Sequence, residues 1–542
     1  MFQQDRRTKL FTIGATCFGL FMVMLDNTVV NLALPTIQRE LGSGLSGLQW
    51  IVDAFVLLLA SLMLTGGTLG DLYGRKRLFM TGVVIFTGGS LFCALSPSVE
   101  TLIAGRAIQG VGAAVMMPST LAILTNTFQD PKERAQAIGI WAGVSGIALA
   151  LGPALGGVMV DAFGWQSIFY LNLPIGAIAL AIAARVVRES KNPQGRSLDV
   201  VGQLLAVGGL GALTYALIEA NSYGWSSTVI VSLFAVAGAV LAGFALWEAR
   251  AKSPLLQLSF FRNTTFLGAN LVGLCVSFGF FGMLFFLALF MQNVQGYSAT
   301  GAGVRQLPST LAVMTTAILA GRVVGRIGAR LPMTVGLALM GAGMLGFTAV
   351  QASTPYHSYW WILTILGIGA GLVMSPMTTA VMSTVPPQRA GMASATLNTS
   401  RQIGGVFGIA LLGSLVTGRF TANLADALQR LGLPPSVALK VAEVGRESRG
   451  AMATTSLMPG MNGTAITSAV NESFVSGIHL ALWVAGTVVL IAAVVSALMI
   501  RGTSPKAQLA RQAAAGADTL PVEPGVQPVP ERIPVPPRKR RS

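Results

Sequence analysis

Gly143-Val144-Ser145-Gly146-Ile147-Ala148-Leu149-Ala150-Leu151-Gly152-Pro153-Ala154-Leu155-Gly156-Gly157 lies inside a stretch, 135–160, that carries no charged residue. A segment of that length and polarity spans a bilayer whose apolar core is about 30 Å thick. It also holds six glycines and a proline. In a helix interior glycine costs about 1 kcal/mol and proline about 3 kcal/mol relative to alanine. A membrane helix of this composition calls for a neighbour packed tightly against it, because small residues let two backbones approach closely.

Thirteen further segments are long and apolar enough to do the same. The approximate spans are 10–34, 48–70, 78–96, 99–124, 135–160, 166–187, 199–220, 227–247, 265–293, 300–321, 332–352, 358–383, 392–417 and 477–500. The whole chain of 542 residues is 53% hydrophobic and only 10% charged, against about 25% charged in soluble domains. An all-α, polytopic membrane protein of fourteen helices follows. The net charge of +16 would suggest nucleic acid in a soluble chain. Here it reads as basic loops at a membrane surface, with no nucleic acid among the expected partners. Cys17, Cys93 and Cys275 all fall in apolar segments and form no metal-binding or disulfide pattern. His357 and His479 are too few for a metal cluster, and no metal is expected. The first apolar run is too long for a signal-peptide core and contains Asp26, so it reads as a retained helix.

An even number of spans puts both ends on one side. With the N-terminus inside, 27 of the 36 Lys and Arg residues fall on inner loops and tails, six fall outside, and Arg106, Arg305 and Arg401 lie within helices. The positive-inside rule then predicts cytoplasmic termini. A long outer segment, 418–476, carries short amphipathic patterns at 422–431 and 437–444, which predict two short surface helices followed by a mobile stretch. The tail 503–542 is rich in Pro and Ala and ends Pro536-Pro537-Arg538-Lys539-Arg540-Arg541. It reads as disordered, with a basic end able to touch anionic lipid.

The chain also repeats itself. Gly67-Thr68-Leu69-Gly70-Asp71-Leu72-Tyr73-Gly74-Arg75-Lys76 recurs in eroded form 254 residues later as Gly321 to Arg330. Gly110-Val111-Gly112 with Pro118 recurs as Gly367-Ile368-Gly369 with Pro376, and Arg134-Ala135 as Arg389-Ala390, at nearly the same offset. Two parallel six-helix halves explain this, with two helices inserted between them and a substrate site at the interface. The predicted division is 1–190, the inserted pair 191–252, a second half 253–502 and the tail.

These motifs resemble the major facilitator superfamily, and within it the fourteen-helix drug:proton antiporters. The first helix carries Leu25-Asp26-Asn27-Thr28-Val29-Val30-Asn31-Leu32-Ala33-Leu34-Pro35 and the first inner loop Gly67 to Arg77. The fourth helix has Arg106, Gln109, Gly110 and Gly112, and the fifth ends its signature with Gly152, Pro153, Gly156 and Gly157. Trp165 to Gly176, Gln292 with Gly296-Tyr297-Ser298, and Asn398 with Arg401-Gln402 complete the series. Gln166 stands where the family usually has Arg, Ala148 where its antiporter motif often has Gly, and Asp53 where a neutral polar residue is commoner. The resemblance implies a major facilitator fold of two six-helix bundles plus two inserted helices, and proton-coupled export of amphiphilic, drug-like compounds. It implies that Gly67, Asp71, Gly74 and Arg75 form a gating loop that latches the halves in the outward-open state. It also implies that the fifth helix packs between the halves and controls leak. The expected partners are protons, amphiphilic substrates and membrane lipids, with function as a monomer, no cofactor and no enzymatic activity. The expected location is the bacterial inner membrane.

Acids inside a membrane are costly and therefore functional by default. At 1.5 Å per residue, Asp26, Arg106 and Asp53 lie about 12, 10 and 8 Å from the outer ends of their helices. They can share one level, with Arg106 paired to Asp26 or to nearby backbone and Asp26 or Asp53 carrying the proton. For substrate contacts the candidates are Asn31, Phe286, Gln292, Asn398 and Arg401. Helix nine is dense in aromatics (Phe278, Phe280, Phe281, Phe285, Phe286, Phe290), many of which are expected to face lipid. Glu219, on an inserted helix, reads as a solvated surface acid. The motif Gly-x-x-x-x-Gly-Lys is absent, which argues against ATP as the energy source. Two other readings remain at this point: a dedicated exporter of one metabolite, antibiotic or lipid, and a transport-inactive scaffold or sensor.

Overall fold

The computed structural model describes residues 2–191, 198–251, 254–385, 390–447 and 463–501. Its helices are α1 (Phe2–Leu41), α2 (Leu45–Tyr73), α3 (Arg75–Ala94), α4 (Val99–Thr127), α5 (Pro131–Phe163), the single turn α6 (Ser167–Tyr170) and α7 (Asn172–Val186). They continue with α8 (Val200–Tyr223), α9 (Thr228–Glu248), α10 (Thr264–Leu289), α11 (Ala299–Ile327), α12 (Arg330–Phe347), α13 (Trp360–Met382), α14 (Ala390–Arg430), α15 (Pro435–Glu447) and α16 (Gly463–Met499). Fourteen of the spans are long and apolar enough to cross a membrane, α6 and α7 together making one of them. Helices α1 to α7 pack on one another, as do α10 to α16, and α8 and α9 pair beside α2 and α14. The chain's described ends share one face of the bundle, called here the terminal face.

The sequence repeat returns as repeated geometry. Gly42 and Gly296 have φ of 69° and 70°, and Gly74 and Gly328 have 116° and 79°. Both pairs are 254 residues apart. These left-handed turns close the α1–α2 and α2–α3 corners and their counterparts, and glycine adopts them without a Cβ clash. Inside the bundles, a Cβ on Gly110 would stand 2.5 Å from the Phe55 carbonyl oxygen, and one on Gly367 would stand 2.3 Å from that of Ser309. A Cβ on Gly112 would meet the Phe86 amide at 2.5 Å, as one on Gly369 would meet that of Met340. The same backbone contacts are therefore built twice, which explains why glycine survives at both ends of the repeat.

Three expectations change. The 422–431 pattern is not a separate surface helix. It continues α14, whose 41 residues extend about 60 Å. Likewise α16 begins at Gly463, well before 477. With α15 these extensions bury Leu424, Leu428, Ala438, Ala442 and Ile466 in a small apolar core of their own, which is why they stay helical beyond the lipid. Second, the aromatics of α10 do not face lipid. Phe278, Phe280, Phe285, Phe286 and, in the π-helical turn Phe290–Val294 that follows α10, Phe290 are buried, and Phe281 is half-buried. Helix α10 is central, touching α1, α13, α14 and α16, and a helix apolar all round is a buried one. Third, Glu219 is not simply solvated: it accepts the Trp50 indole N–H at 3.1 Å. With Gln203 donating to Ser61 O and Asn221 to Ser414 O, this bond fastens the inserted pair to both bundles. The predicted mobile stretch after α15, the tail 503–542 and Arg389 of the repeat lie outside the described residues.

One tie on the terminal face has no counterpart in the sequence reading. Glu189 accepts the backbone N–H groups of Lys76 and Arg77 at 3.0 and 3.2 Å, capping α3 from 112 residues or more away. An anion at a helix N-terminus satisfies orphan amides and the helix dipole together. Glu189→Ala is expected to cost about 1 kcal/mol. The check is a lower midpoint of thermal unfolding in detergent, with Glu189→Gln falling in between.

Candidate functional site

Gly139, Gly143, Gly146, Ala150, Pro153 and Gly157 lie three or four residues apart and so share one face of α5. That face meets α11 unevenly. Near the end away from the terminal face, a Cβ on Gly157 would stand 2.3 Å from Ala299 O, and one on Gly303 would stand 2.2 Å from Pro153 O. Thr310 donates to Ala150 O at 3.1 Å. Further down, Gly146 has only the Met314 side chain near it, at 3.6 Å, and Gly143 and Gly139 have nothing within 4 Å. The two helices therefore touch backbone to backbone at one end and part toward the terminal face. This meets the demand for a close partner set by the glycine content of α5.

The same end is sealed elsewhere. Asp161 accepts the first amides of α11, Ala299 N and Thr300 N, at 3.1 and 2.8 Å. Gln49 of α2 donates to Ile409 O and Ala410 O of α14 at 2.7 and 3.2 Å. Gln292 donates to Leu32 O at 3.0 Å, and Asn293 to Gln38 at 2.9 Å. Each bond joins one bundle to the other. On the terminal face, by contrast, Asp71 pairs at 2.9 Å with Arg75 of its own corner. Arg75 N donates to Ser190 O in the same bundle.

Asp26 and Arg106 form a fully buried pair at 2.5 Å. Around it, Asp26 Oδ1 accepts Gln109 Nε2 and Asn172 Nδ2, each at 3.2 Å. Arg106 donates to Gln109 Oε1 at 2.8 Å and to Ile51 O at 3.0 Å, and its guanidinium lies 4.3 Å from the centre of the Phe55 ring. Ser90 joins by accepting from Gln109 at 2.7 Å. Charges and hydrogen-bonding groups thus satisfy one another across α1, α2, α3, α4 and α7. That is the condition under which a buried ion pair is tolerated. Gln109 and Asn172 were visible only as parts of motifs, and Ser90 gave no signal of this role, since a neutral polar residue in an apolar helix does not say which neighbour it serves.

Asp53 does not join them. It is 0% exposed, and neither carboxylate oxygen has a partner among the described residues. It sits one helical turn from Gln49, so both project from the same side of α2, the side that meets α14. An ionised carboxylate without partners costs several kcal/mol or more in apolar surroundings, a cost the neutral acid avoids.

A narrow cavity of about 10 Å³ lies where α1, α5, α10 and α11 converge, lined by Thr28, Asn31, Pro153, Leu284, Gln306 and Thr310 among others. Of the sequence candidates for substrate contact, only Asn31 lines it. Gln292 is spent on the seam with Leu32, and Phe286 packs edge-on against Phe285 at 5.0 Å in the core. Asn398 donates to Ser394 O of its own helix. Arg401 is half-buried beside Gly273, with no hydrogen-bond partner among the described residues.

Residues 16–409 match the family model of the Major Facilitator Superfamily. The Multidrug resistance protein Stp of Mycobacterium tuberculosis is 41% identical over 78% of this chain and 79% of its own length. The Methylenomycin A resistance protein of Streptomyces coelicolor is 40% identical over 74% of this chain and 84% of its own. The Tetracenomycin C resistance and export protein of Streptomyces glaucescens is 36% identical over 91% and 92%. A bacterial homolog of the human lysosomal transporter Spinster, solved inward-facing and unoccupied, shares the fold with a TM-score of 0.60 at 19% identity, over 91% of this chain and 98% of that one. A doubled six-helix plan with an inserted pair, a seam that the described residues close at the end away from the terminal face, and a match that runs from the first helix into α14 place this chain in the Major Facilitator Superfamily, as a multi-pass bacterial membrane transporter.

Proposed function

We propose that this chain is a proton-coupled exporter that moves amphiphilic, drug-like compounds out of the cell by alternating access. The relatives named for drug resistance and antibiotic export support the cargo class. The charge distribution of the loops supports a terminal face in the cytoplasm of the inner membrane. On that orientation the conformation described is closed to the outside and open inward. Asp71 and Arg75, which pair with each other here, form the latch between the halves when the inner side closes. Gly67 and Gly74 shape that corner. The antiporter glycines, Gly152, Gly156 and Gly157, with Pro153, make the outer closure leak-tight.

The observation that carries the proton coupling is Asp53. It is an acid without partners, on the face of α2 that meets α14 where the two bundles close. With the seam shut it holds a proton. Opening the seam outward hydrates it, so proton exchange there is tied to the rocking of the bundles. Asp26 and Arg106 hold the first bundle together beside it. An inward proton gains about 2.3 kcal/mol per 100 mV of membrane potential. Arg401 and Asn398 of α14 are the first contacts offered to cargo in this reading, and the chain works as a monomer.

The test is purified protein in liposomes under an imposed pH gradient, challenged with a panel of dyes and antibiotics. The expected result is movement of compounds against their own gradients that stops when a protonophore collapses the proton gradient. Transport that is absent, or indifferent to the pH gradient, overturns the reading.

A further inference from the structure

The cavity between the bundles contains a matched pair that the proton-coupling groups do not explain. Its polar atoms can be counted one by one. Thr28 Oγ1 donates to Leu25 O at 2.9 Å, and Thr310 Oγ1 to Ala150 O at 3.1 Å, so both hydroxyl protons are used. Asn31 Nδ2 donates to Asn27 O at 3.1 Å, which fixes how that amide is turned. Of the fully buried side-chain atoms here, two have no partner among the described residues: Asn31 Oδ1, an acceptor, and Gln306 Nε2, a donor. Both side chains are at least nine-tenths buried, at 5% and 2% exposed. They come from α1 in one bundle and α11 in the other, and no charged side chain lines the cavity.

Unpaired amide groups left in an apolar setting carry the full cost of lost hydration, so the fold retains them at a loss unless something fills the gap. We propose that Asn31 and Gln306 form a specificity-determining subsite that reads a hydroxyl group on the cargo. A hydroxyl has one proton to give and lone pairs to receive. A single oxygen can therefore donate to Asn31 Oδ1 and accept from Gln306 Nε2. The space suits one such group: about 10 Å³ holds one oxygen-sized group and not a ring. Larger parts of the cargo lie below, in the opening toward the terminal face. Because the subsite holds no charge, it selects by hydrogen bonding and is indifferent to whether the rest of the compound is cationic. Because its halves belong to different bundles, the contact exists only while the seam is closed, and it breaks when the cargo is released on the other side.

This inference rests on the exporter reading, and the experiment separates the two. Equilibrium binding and gradient-driven transport are measured for 2-(hydroxymethyl)anthraquinone and its methyl ether. Neither ionises, and they differ only in the hydroxyl proton and one methyl group. The proteins are the unchanged chain, Asn31→Leu, Gln306→Met and the double variant, each an apolar replacement of similar shape. The unchanged chain is expected to bind the alcohol about tenfold more tightly than the ether, since a site built around a hydroxyl leaves its own groups unpaired against an analogue lacking it. In the double variant the ratio falls to about one, with ether binding preserved and each single variant in between. Ether binding is the internal control for folding. Equal binding of both compounds to the unchanged chain, or a preference that survives both substitutions, means that the pair merely bridges a resident water, and the subsite is refuted while export stands. A chain that neither binds nor moves either compound refutes both.

Discussion

Asp53→Asn is expected to uncouple export from the proton gradient while leaving the protein folded and able to bind cargo. The substitution keeps the size of the side chain and removes its capacity to gain and lose a proton. Because both Asp53 oxygens lack partners among the described residues, it breaks no hydrogen bond or ion pair with them. Uphill transport driven by a pH gradient should fall by about 5- to 150-fold, the range of an ordinary coupling free energy between two sites. Downhill movement of the same compound should persist.

Asp26→Asn should behave differently, and the difference is the informative part. Asp26 receives Arg106, Gln109 and Asn172. Neutralising it strands a buried guanidinium, and breaking a buried pair from one side costs about 3–5 kcal/mol. Its effect should therefore appear first as a lower unfolding temperature, and Asp26→Asn combined with Arg106→Gln should recover much of that loss. Thermal unfolding measured beside transport in the same preparations separates a proton carrier from a structural pair. Undiminished uphill transport by Asp53→Asn would remove this acid from the coupling mechanism and return the role to Asp26.

The contrast between the two aspartates shows which parts of the molecule the chain discloses. Asp26 and Arg106 could be paired from sequence because isolated charges in lipid are too costly to stand alone, and helix rise puts them at one depth. The same arithmetic set Asp53 at their level, although it shares none of their bonds. Depth says how far along a helix a residue lies and nothing about the direction in which it projects. The doubled architecture was legible because close backbone approach admits only glycine, so Gly110 and Gly367 keep a mark of their contacts. The aromatic run of α10 misled for the opposite reason. Lipid and protein interior are equally apolar, and periodicity cannot distinguish them. Gln306 and Glu189 were invisible because their partners, a cavity between bundles and a helix end over a hundred residues away, exist only in three dimensions.

The fifth helix supports the second large prediction. Gly157→Ala together with Gly303→Ala should drive the protein toward the outward-open state and arrest export. Each new methyl carbon would arrive 2.3 or 2.2 Å from a backbone oxygen, Ala299 O or Pro153 O. Backbone cannot swing aside as a side chain can, so the sealed end must open or strain. Overpacking of this kind costs about 1–3 kcal/mol. Where a second conformation keeps these surfaces apart, that cost is paid only by the closed one, and populations shift by a factor of about 5 to 150. Spin labels at Phe163 and Val304, both exposed, should then move apart. The reverse experiment uses the other end of the same face. Gly139 and Gly143 have nothing within 4 Å in this conformation, so Leu at either is accommodated here. If α5 and α11 close toward the terminal face during the cycle, Leu at Gly143 obstructs that closure and biases the protein the opposite way, holding the Phe163–Val304 distance short. Opposite shifts from substitutions on one helical face identify α5 and α11 as the pivot. Equal distances in all three proteins, with export intact, would show that the bundles exchange access by some other movement.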